Sequence, residues 1–244
     1  MKKINEKLLQ TVIFAGGLGT RLRPLTNNIP KPMVTVHGKP FLEYELKLLS
    51  SAGIRDFVLC VGYLGHAIEE SLGNGSRLGI NLQYSFDGEK PLGVAGALKK
   101  AESFLEDVFF ATYGDAFLRA DYAGIFSDFT SRDKLGMMLV SENHNAHGRS
   151  DLAINDGLVT KYSKRNQTPD MVWINYGVSV LRKRSLEFIA TKEEVGEEQF
   201  YGELIKRKEL LAKVVTTRFF EIGTPTALND FEEFLSTVDN LFQY

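Results

Sequence analysis

The chain reads VIFAGGLGTRLRPLTNNIPKP over residues 12–32, and this stretch predicts its fold. Residues 12–14 are a short run of β-branched and aromatic side chains, which is typical of a buried strand. Directly after the strand come three glycines, Gly16, Gly17 and Gly19. Because glycine has no Cβ, such a turn can bring backbone N–H groups close to a ligand. The stretch therefore predicts a strand that ends in a ligand-binding loop.

Positive charge follows the glycines on the same loop, at Arg21, Arg23 and Lys31. N–H donors beside fixed cations are what the oxygens of a triphosphate need. Two common phosphate motifs do not fit. A P-loop ends in Gly-Lys-Ser/Thr, which is absent here, and the third glycine of a dinucleotide fingerprint would fall on Leu22. We therefore expect a triphosphate site of another kind, in which Arg23 is either a phosphate ligand or solvated.

Composition narrows the class of partner. The chain has 244 residues and a formal net charge of −2, so neither nucleic acid nor an anionic membrane is indicated as its main partner. We expect no membrane-spanning segment, because no apolar run is long enough, and no signal peptide. Cys60 is the only cysteine, which excludes an internal disulfide and a cysteine-rich zinc site. These features predict a cytoplasmic protein.

Strand and helix signals alternate along the first half and are less regular in the second. Strands are predicted at 12–14, 56–61, 80–86, 107–113, 135–141, 151–155, 158–162, 172–181 and near 213–220. Helices are predicted from Pro40 to Gly53 and at 67–72, 94–104, 121–132, 183–190, 198–208 and 225–241. Strands separated by helices predict an α/β fold with three layers, in which helices cover both faces of a mostly parallel twisted sheet.

No linker or internal repeat divides the chain, so a single domain over residues 1–244 is expected. Its nucleotide-binding half, with the triphosphate loop, would span about 1–141, and a lid or subdomain over the sheet edge would span about 142–205. Ligands bind beyond the carboxyl ends of the strands in such sheets. Both the glycine loop and Asp115 lie at such an end.

Asp115 follows an apolar strand and Gly114, and a carboxylate there can bind Mg²⁺ through hard oxygen ligands or can cap a helix. His144 and His147 are a weak candidate for a second metal pair, because two histidines in a loop are a poor signal. Glu89 and Asp87 precede the small residues of Gly93–Gly96, against which a flat base can pack.

The pattern Gly-x-Gly-Thr-Arg followed by Pro-Lys-Pro resembles the signature of the sugar-1-phosphate nucleotidyltransferases. The resemblance implies a Rossmann-like fold of the GT-A type, nearly over the whole chain. It implies that Lys31 and Arg21 contact the phosphates and promote the reaction. The implied nucleotide-binding residues are Ala15, Gly16, Gly17, Gly19, Thr20, Arg21, Glu89 and Gly93.

The same resemblance implies a Mg²⁺ cofactor held by Asp115 and by an acid two residues before Gly223-Thr224. That acid is Glu221, where relatives usually have aspartate. It further implies that Lys164 binds the phosphate of the sugar 1-phosphate, and that Asn175 and Gly177 border the sugar. Two positions depart from the family pattern. Ser163 stands where relatives often have an acid, and Val94 replaces a threonine.

The run Gly38–Tyr44 resembles the short bacterial heptose 1-phosphate guanylyltransferases, which lack a left-handed β-helix domain. The implied reaction joins a nucleoside monophosphate from an NTP, favoured as GTP, to a manno-heptose or hexose 1-phosphate. Pyrophosphate and an NDP-sugar for surface glycans are the products. GTP is also favoured because a carboxylate can accept two hydrogen bonds from guanine.

Other functions stay open at this point. Within the family the chain could be a uridylyl- or cytidylyltransferase. Outside it, a glycosyltransferase would be expected to carry Asp-x-Asp, whereas the window after the strand reads Gly114-Asp115-Ala116-Phe117. A non-catalytic homologue that binds sugar phosphate or nucleotide is the other alternative. A homo-oligomer is possible.

Overall fold

A computed structural model describes residues 9–146, 148–190, 194–238 and 241–242. It carries strands β1 Gln10–Phe14, β2 Thr35–Val36, β3 Lys39–Pro40, β4 Asp56–Val61, β5 Asn81–Phe86, β6 Val108–Tyr113, β7 Ala116–Leu118, β8 Gly136–Glu142, β9 Leu152–Asn155, β10 Leu158–Tyr162, β11 Trp173–Arg182, β12 Leu210–Val214 and β13 Phe219–Glu221. The α-helices are α1 Phe41–Ser51, α2 Gly65–Leu72, α3 Gly93–Lys100, α4 Tyr122–Thr130, α5 Glu197–Lys206 and α6 Pro225–Thr237.

Nine of the strands in the described part of the chain form one sheet, in the order β5-β4-β1-β6-β11-β8-β12-β10-β9. The first four are parallel to one another, so their carboxyl ends meet at one edge. The second half is mixed: β11 runs antiparallel to both β6 and β8, whereas β12 runs parallel to β8. The predicted α/β fold is confirmed, and its parallel part is the half that carries the glycine loop.

Helices cover both faces of this sheet because successive strand residues point to opposite sides. Ile13 of β1 packs in the same apolar cluster as α1, α2 and α4, whereas its neighbour Val12 packs with α3 and α5. Both side chains are fully buried. The three predicted layers follow from this alternation.

A third apolar cluster lies outside the main sheet. Here β13 pairs antiparallel with β7 in a separate two-stranded sheet, and Phe231 of α6 packs against Phe41 of α1 and Phe117 of β7. Thr224 caps α6 by accepting the Ala227 N–H at 3.2 Å. The cluster attaches α6 to β7 and β13, and β7 directly follows the turn that contains Asp115.

Several local predictions are confirmed. α1 begins directly after Pro40, and Gly53 follows it with φ +91°. Asp-Gly between the predicted strands 151–155 and 158–162 predicts a hairpin. Asp156 and Gly157 do join β9 to β10, with φ values of +50° and +74°, the two positive values that a type I′ turn requires.

Other local predictions are wrong. The strand expected near 213–220 is two strands, since β12 joins the main sheet and β13 joins β7. The helix expected at 183–190 is a 3₁₀ segment, Lys183–Phe188. Pro30 and Pro32 on either side of Lys31 predict an extended backbone there, but Lys31 opens a 3₁₀ turn, because the Val34 N–H bonds its carbonyl oxygen at 3.1 Å. The predicted α6 reaches only Thr237 within the described residues.

Candidate active site

A cavity of about 300 Å³ opens at the carboxyl ends of β1, β4 and β6. It is the place where ligands bind in open α/β sheets. The lining combines the glycine loop, the start of α3 and three charged residues that the sequence singles out; its members are Phe14, Ala15, Gly16, Gly17, Lys31, Pro32, Cys60, Asp87, Pro91, Gly93, Val94, Ala97, Tyr113 and Asp115. Six predicted site residues therefore meet here: Ala15, Gly16, Gly17, Lys31, Gly93 and Asp115.

The glycine loop is packed against the segment that follows β4. Ala15 donates its N–H to the Cys60 carbonyl at 2.8 Å. A Cβ at Gly16 would lie 3.1 Å from the Gly62 nitrogen, and one at Gly62 would lie 3.1 Å from the Gly16 carbonyl oxygen. The two backbones therefore approach so closely that neither position has ordinary room for a side chain. This contact keeps the first part of the loop flat against the sheet.

Gly19 sets the course of the rest of the loop. Its φ of +61° is in the left-handed region, and a Cβ would lie 3.0 Å from Thr26 Cγ2 and 3.1 Å from Lys31 Cβ. The buried Thr26 hydroxyl donates to the Gly19 carbonyl at 2.7 Å. Gly19 thus folds the loop back onto Lys31 without lining the cavity itself. Thr20 and Arg21 follow it on the exposed side.

Lys31 and Asp115 form an ion pair at the centre of the site. Their side chains are 18% and 15% exposed, so the pair is mostly shielded but is open to a ligand from the cavity. Lys31 comes from the 3₁₀ turn after the loop, and Asp115 comes from the turn between β6 and β7. Elements more than eighty residues apart therefore supply one cation and one carboxylate at the same point.

Glu221 lies on the strand that pairs with the turn of Asp115. It is opposite Ala116 in the β13–β7 pairing, and the next residue, Ile222, donates its N–H to the Asp115 carbonyl at 3.1 Å. A Cβ at Gly223 would lie 3.1 Å from Glu221 Oε1 and 2.8 Å from Arg21 Nη2. The predicted second carboxylate and the predicted phosphate-binding arginine thus share the space beside Gly223.

These residues fit the predicted magnesium ion. Mg²⁺ is held in proteins by one or two carboxylates together with substrate phosphates; Asp115 lines the cavity, and Glu221 lies on the strand whose next residue bonds the Asp115 carbonyl. Among the described residues no cluster of three or more His, Cys, Asp or Glu could hold a metal without such a substrate. A Mg²⁺ ion at these two residues would need further oxygen ligands from a substrate.

Of the two candidate base-recognising acids, the structure brings Asp87 to the cavity and leaves Glu89 exposed outside it. Asp87 Oδ2 accepts the Leu92 N–H at 3.5 Å and would contact a Cβ at Gly62 at 3.1 Å. Burial raises the pKa of Asp87, while the Leu92 N–H and Lys100 oppose that rise. Asp87 is thus a partly desolvated carboxylate that borders the cavity.

Gly93 forms the opposite wall of the cavity with the start of α3. Its φ is +71°, and a Cβ would lie 2.6 Å from the Val195 carbonyl oxygen. That oxygen accepts the N–H groups of Ala95 and Gly96 at 3.0 and 3.2 Å. A segment from the second half of the chain therefore caps the helix that borders the nucleotide cavity.

The predicted sugar-phosphate lysine lies next to this cavity, behind one of its lining residues. The Lys164 ammonium lies 5.7 Å from the centre of the Tyr113 ring and forms an ion pair with Glu197. The Tyr113 hydroxyl donates to the other oxygen of the same Glu197 carboxylate. Burial is the main cause that raises the pKa of Tyr113, so the phenol stays neutral and serves as a donor. Glu197 thus links Lys164 to the end of β6.

Asn175 and Gly177 lie on β11 beside the same tyrosine. The Asn175 side-chain oxygen accepts the Gly177 N–H at 2.9 Å, and Gly177 has φ +69°. A Cβ at Gly177 would lie 3.3 Å from Tyr113 Cδ2. The Asn175 N–H donates to Asp151 Oδ1 at 2.9 Å. The three predicted sugar-phosphate residues, Lys164, Asn175 and Gly177, therefore lie on the Tyr113 side of the cavity and are not among its lining residues.

Sequence reasoning missed three residues of this neighbourhood: Tyr113, Asp151 and Glu197. The sequence predicts Tyr113 only as the last residue of a strand and places Glu197 just before a predicted helix. A signal for Glu197 was available, because an acid in the first turn of an amphipathic helix is unusual on its buried side, and Glu197 is 8% exposed. Nothing local distinguishes Asp151 from an ordinary acid at the start of a predicted strand.

The histidine pair stays without support as a metal site. His144 Nε2 is 2.7 Å from Glu142 Oε1 on the surface, and His147 lies outside the described residues. Within the ranges that the structure describes, no helix is long and apolar enough to cross a membrane.

Comparisons with known proteins identify the family of this chain. A family model described as nucleotidyl transferase matches residues 10–237. A D-glycero-α-D-manno-heptose 1-phosphate guanylyltransferase from Campylobacter jejuni is 30% identical over 93% of this chain and 99% of its own length. The catalytic subunit β of a mannose-1-phosphate guanylyltransferase from Drosophila pseudoobscura is 31% identical, over 88% of this chain but only 59% of its own length.

Solved structures share the fold. HddC from Yersinia pseudotuberculosis in complex with GMP-PN superposes with a TM-score of 0.78 at 27% identity, covering 93% of this chain and all of that one. An inositol-1-phosphate CTP transferase from T. maritima has a TM-score of 0.77 over 94% of this chain and 95% of its own, and at 22% identity it supports the fold alone. The chain therefore belongs to the nucleotidyl transferase family, among the sugar-1-phosphate nucleotidyltransferases.

Proposed function

We propose that this enzyme transfers GMP from GTP to a manno-configured heptose or hexose 1-phosphate, with release of pyrophosphate. The observation that carries the choice of base is the position of Asp87. Its carboxylate borders the cavity next to Gly16, where the triphosphate loop begins. A carboxylate there can accept hydrogen bonds from the N1–H and the exocyclic amine of guanine together.

The choice of sugar is supported by the relatives and by the residues around Lys164. The Campylobacter protein is named for manno-heptose 1-phosphate and the Drosophila protein for mannose 1-phosphate. In this chain Lys164 would bind the phosphate of the acceptor, while Asn175 and Gly177 would border its sugar ring. The product would be an NDP-sugar for surface glycan synthesis, made in the cytoplasm.

The reaction would be attack by a phosphate oxygen of the sugar 1-phosphate on the α-phosphorus of GTP. The nucleophile is already an anion, so the protein's residues act by alignment and by charge rather than by removing a proton. Lys31 would contact the reacting phosphoryl group from the cavity wall, and Arg21 would reach the outer phosphates from beside Gly223. Mg²⁺ held by Asp115 and Glu221 would neutralise charge on the triphosphate.

A second base has one specific observation in its favour. A UTP–glucose-1-phosphate uridylyltransferase from Synechocystis is 38% identical to this chain, although only over 124 residues that cover 46% of this chain and 32% of that protein. Uracil has a single ring N–H and no exocyclic amine. It would therefore leave part of the hydrogen-bonding capacity of Asp87 unused.

The test compares kcat/KM for GTP, UTP, CTP, dTTP and ATP, each with mannose 1-phosphate and with a manno-heptose 1-phosphate. The rate is measured as pyrophosphate release. We expect GTP to be preferred by about 10²-fold or more, because buried acceptors left unpaired are costly. In Asp87→Asn this preference should shrink, whereas in Glu89→Gln it should stay. A preference for UTP or CTP in the unaltered enzyme would overturn the assignment of guanine.

A further inference from the structure

The charges around Lys164 do not balance before a substrate arrives. Its ammonium is paired with the buried Glu197 carboxylate, and a second buried carboxylate, Asp151, lies close enough for Lys164 to influence its ionisation. Glu198 adds a third acid, whose oxygens accept the Ser163 hydroxyl at 3.0 Å and the Lys164 N–H at 3.1 Å. Three acids therefore lie around Lys164 at the point where a phosphate is expected to bind; Glu197 is paired with the ammonium, and Glu198 bonds the backbone N–H.

Asp151 is held rigidly in this group. It is 7% exposed, its Oδ1 accepts the Asn175 N–H at 2.9 Å, and its backbone carbonyl accepts the Ser163 N–H at 3.0 Å. Burial raises the pKa of Asp151 to about 6; the Asn175 N–H and Lys164 oppose the rise, and Glu197 adds to it. This carboxyl is thus mostly ionised at neutral pH, but a small change in its surroundings would protonate it.

Three neighbouring elements supply the groups that act on the ionisation of Asp151. From β11 comes the Asn175 N–H, from the segment after β10 comes Lys164, and from α5 comes Glu197. Tyr162 of β10 remains neutral, since its pKa is raised first by burial and then by Glu197 and Asp151. On the same segment as Asp151, the Arg149 guanidinium donates to the Arg165 carbonyl at 3.1 Å.

We propose that Asp151 takes up a proton from solvent when a sugar 1-phosphate binds at Lys164, so that affinity for the acceptor substrate depends on pH. The inference rests on the proposed position of that phosphate. A phosphate dianion at Lys164 adds negative charge beside two buried carboxylates, and like charges favour the neutral form of a carboxyl. Asp151 then becomes a neutral donor beside the sugar site, and the repulsion is removed.

The first measurement is the pKa of the Asp151 carboxyl by carbon-detected NMR titration of the whole chain, alone and with saturating mannose 1-phosphate. The expected result is a rise of about one pH unit on binding. Inorganic phosphate is the second probe, because it reports on Lys164 without the sugar. An unchanged or lowered pKa with either ligand bound, or no binding of either, overturns the inference.

The second measurement is the KM for mannose 1-phosphate. Between about pH 6 and about pH 8, KM should rise about 5-fold more in the unaltered enzyme than in Asp151→Asn. Binding that requires a proton becomes weaker once the pH exceeds the pKa of the free carboxyl, because the proton must then be taken from a more dilute solution. Asparagine keeps the oxygen that accepts the Asn175 N–H, so the variant should fold. Sugar phosphate ionises in the same range, and the comparison between variants removes that contribution.

Asp170→Asn is the matched control. Asp170 is an exposed acid of the same region, paired with Lys161 at 3.0 Å, and its pKa is lowered, so it stays ionised throughout the range. This variant should keep the pH dependence of the unaltered enzyme. Equal pH dependence in all three proteins overturns the inference. If GTP and mannose 1-phosphate give no turnover while phosphate still shifts the pKa of Asp151, only the proposed function fails.

Discussion

Two lysines border the site, and each is paired with a carboxylate of a different kind. Lys31 is paired with Asp115, which lies in a turn open to the cavity and is a candidate metal ligand. Lys164 is paired with Glu197, which is buried and is bonded a second time by the Tyr113 hydroxyl. At the nucleotide end both partners can rearrange around an incoming ligand. At the sugar end the carboxylate is fixed, and only the lysine can move.

This difference separates a pair that would take part in the chemical step, Lys31 and Asp115, from a pair that would only bind the acceptor, Lys164 and Glu197. A metal and a triphosphate would draw Asp115 and Lys31 to different partners, so that the pair changes during the reaction. In the proposed function Lys164 keeps one task, since it would contact the acceptor phosphate before and during the reaction. Substitutions at the nucleotide end should therefore lower kcat, and those at the sugar end should raise KM.

The largest effect is expected for Asp115→Asn. An amide oxygen is a poorer ligand for Mg²⁺ than a carboxylate, so turnover should fall by at least about 10²-fold. Pyrophosphate release at saturating Mg²⁺ measures the loss, and an unchanged melting temperature shows that the fold is intact. Asp121→Asn, at the cap of α4, is the control and should keep its activity. Near-normal turnover in Asp115→Asn would remove Asp115 from the metal site.

Lys31→Ala should lower kcat by about 10²-fold, because the charge that acts on the reacting phosphoryl group is lost. The KM for the sugar phosphate should change little. Lys47→Ala removes a lysine that is also paired with a carboxylate, Glu43 at 3.6 Å, but away from the cavity, and it should have no effect on kcat. A rise in KM for the acceptor with unchanged kcat would contradict the division between the two ends.

Lys164→Ala should raise the KM for the sugar phosphate by about 10-fold and leave kcat within a few-fold, since the contact is made in both ground and transition states. Lys161→Ala, which breaks a surface pair with Asp170, is the matched control. If the KM for sugar phosphate is unchanged in Lys164→Ala, this lysine does not bind the acceptor.

The smallest effect is expected for Gly223→Ala. The added methyl group would lie 2.8 Å from Arg21 Nη2, the end of a flexible side chain, which can move away. The KM for the nucleotide should rise by about 3- to 10-fold, because a misplaced cation loses part of its interaction with the phosphates. Gly202→Ala, where a Cβ meets no atom within 4 Å, should be neutral. Identical kinetics for the two variants would show that Arg21 does not depend on this space.

The part of the site that sequence predicts is the part whose signals are local. Gly16, Gly19 and Lys31 lie within one short stretch, and the structure shows why two of them must be glycine: Gly16 touches Gly62, and Gly19 has a positive φ beside Thr26. Asp115 was identified by its place after a strand, and it lies at the cavity.

What sequence could not predict depends on long-range packing. Glu197 meets Tyr113 across 84 positions, and no pattern around either residue encodes that contact. Asp87 and Glu89 are both acids just before Gly93, and the sequence does not distinguish their roles. Only Asp87 lines the cavity, with its carboxylate directed toward Gly62. The sequence near 213–220 predicts one strand, because no local pattern shows that its two ends pair with different strands. β12 pairs with β8 and β13 pairs with β7, which come from distant positions in the chain.

The contact between α3 and the Val195 carbonyl limits how the chain can be recombined. A chimera that joined residues 1–141 to the remainder of another relative would have to reproduce a carbonyl at 195 that fits the Ala95 and Gly96 N–H groups. It would also have to match the β6–β11 ladder, where Val180 lies opposite Phe110. We expect such hybrids to lose GTP binding even when every nucleotide-contacting residue is retained. Point substitutions at Asp87 should therefore alter the base preference more readily than a chimera that replaces half of the chain.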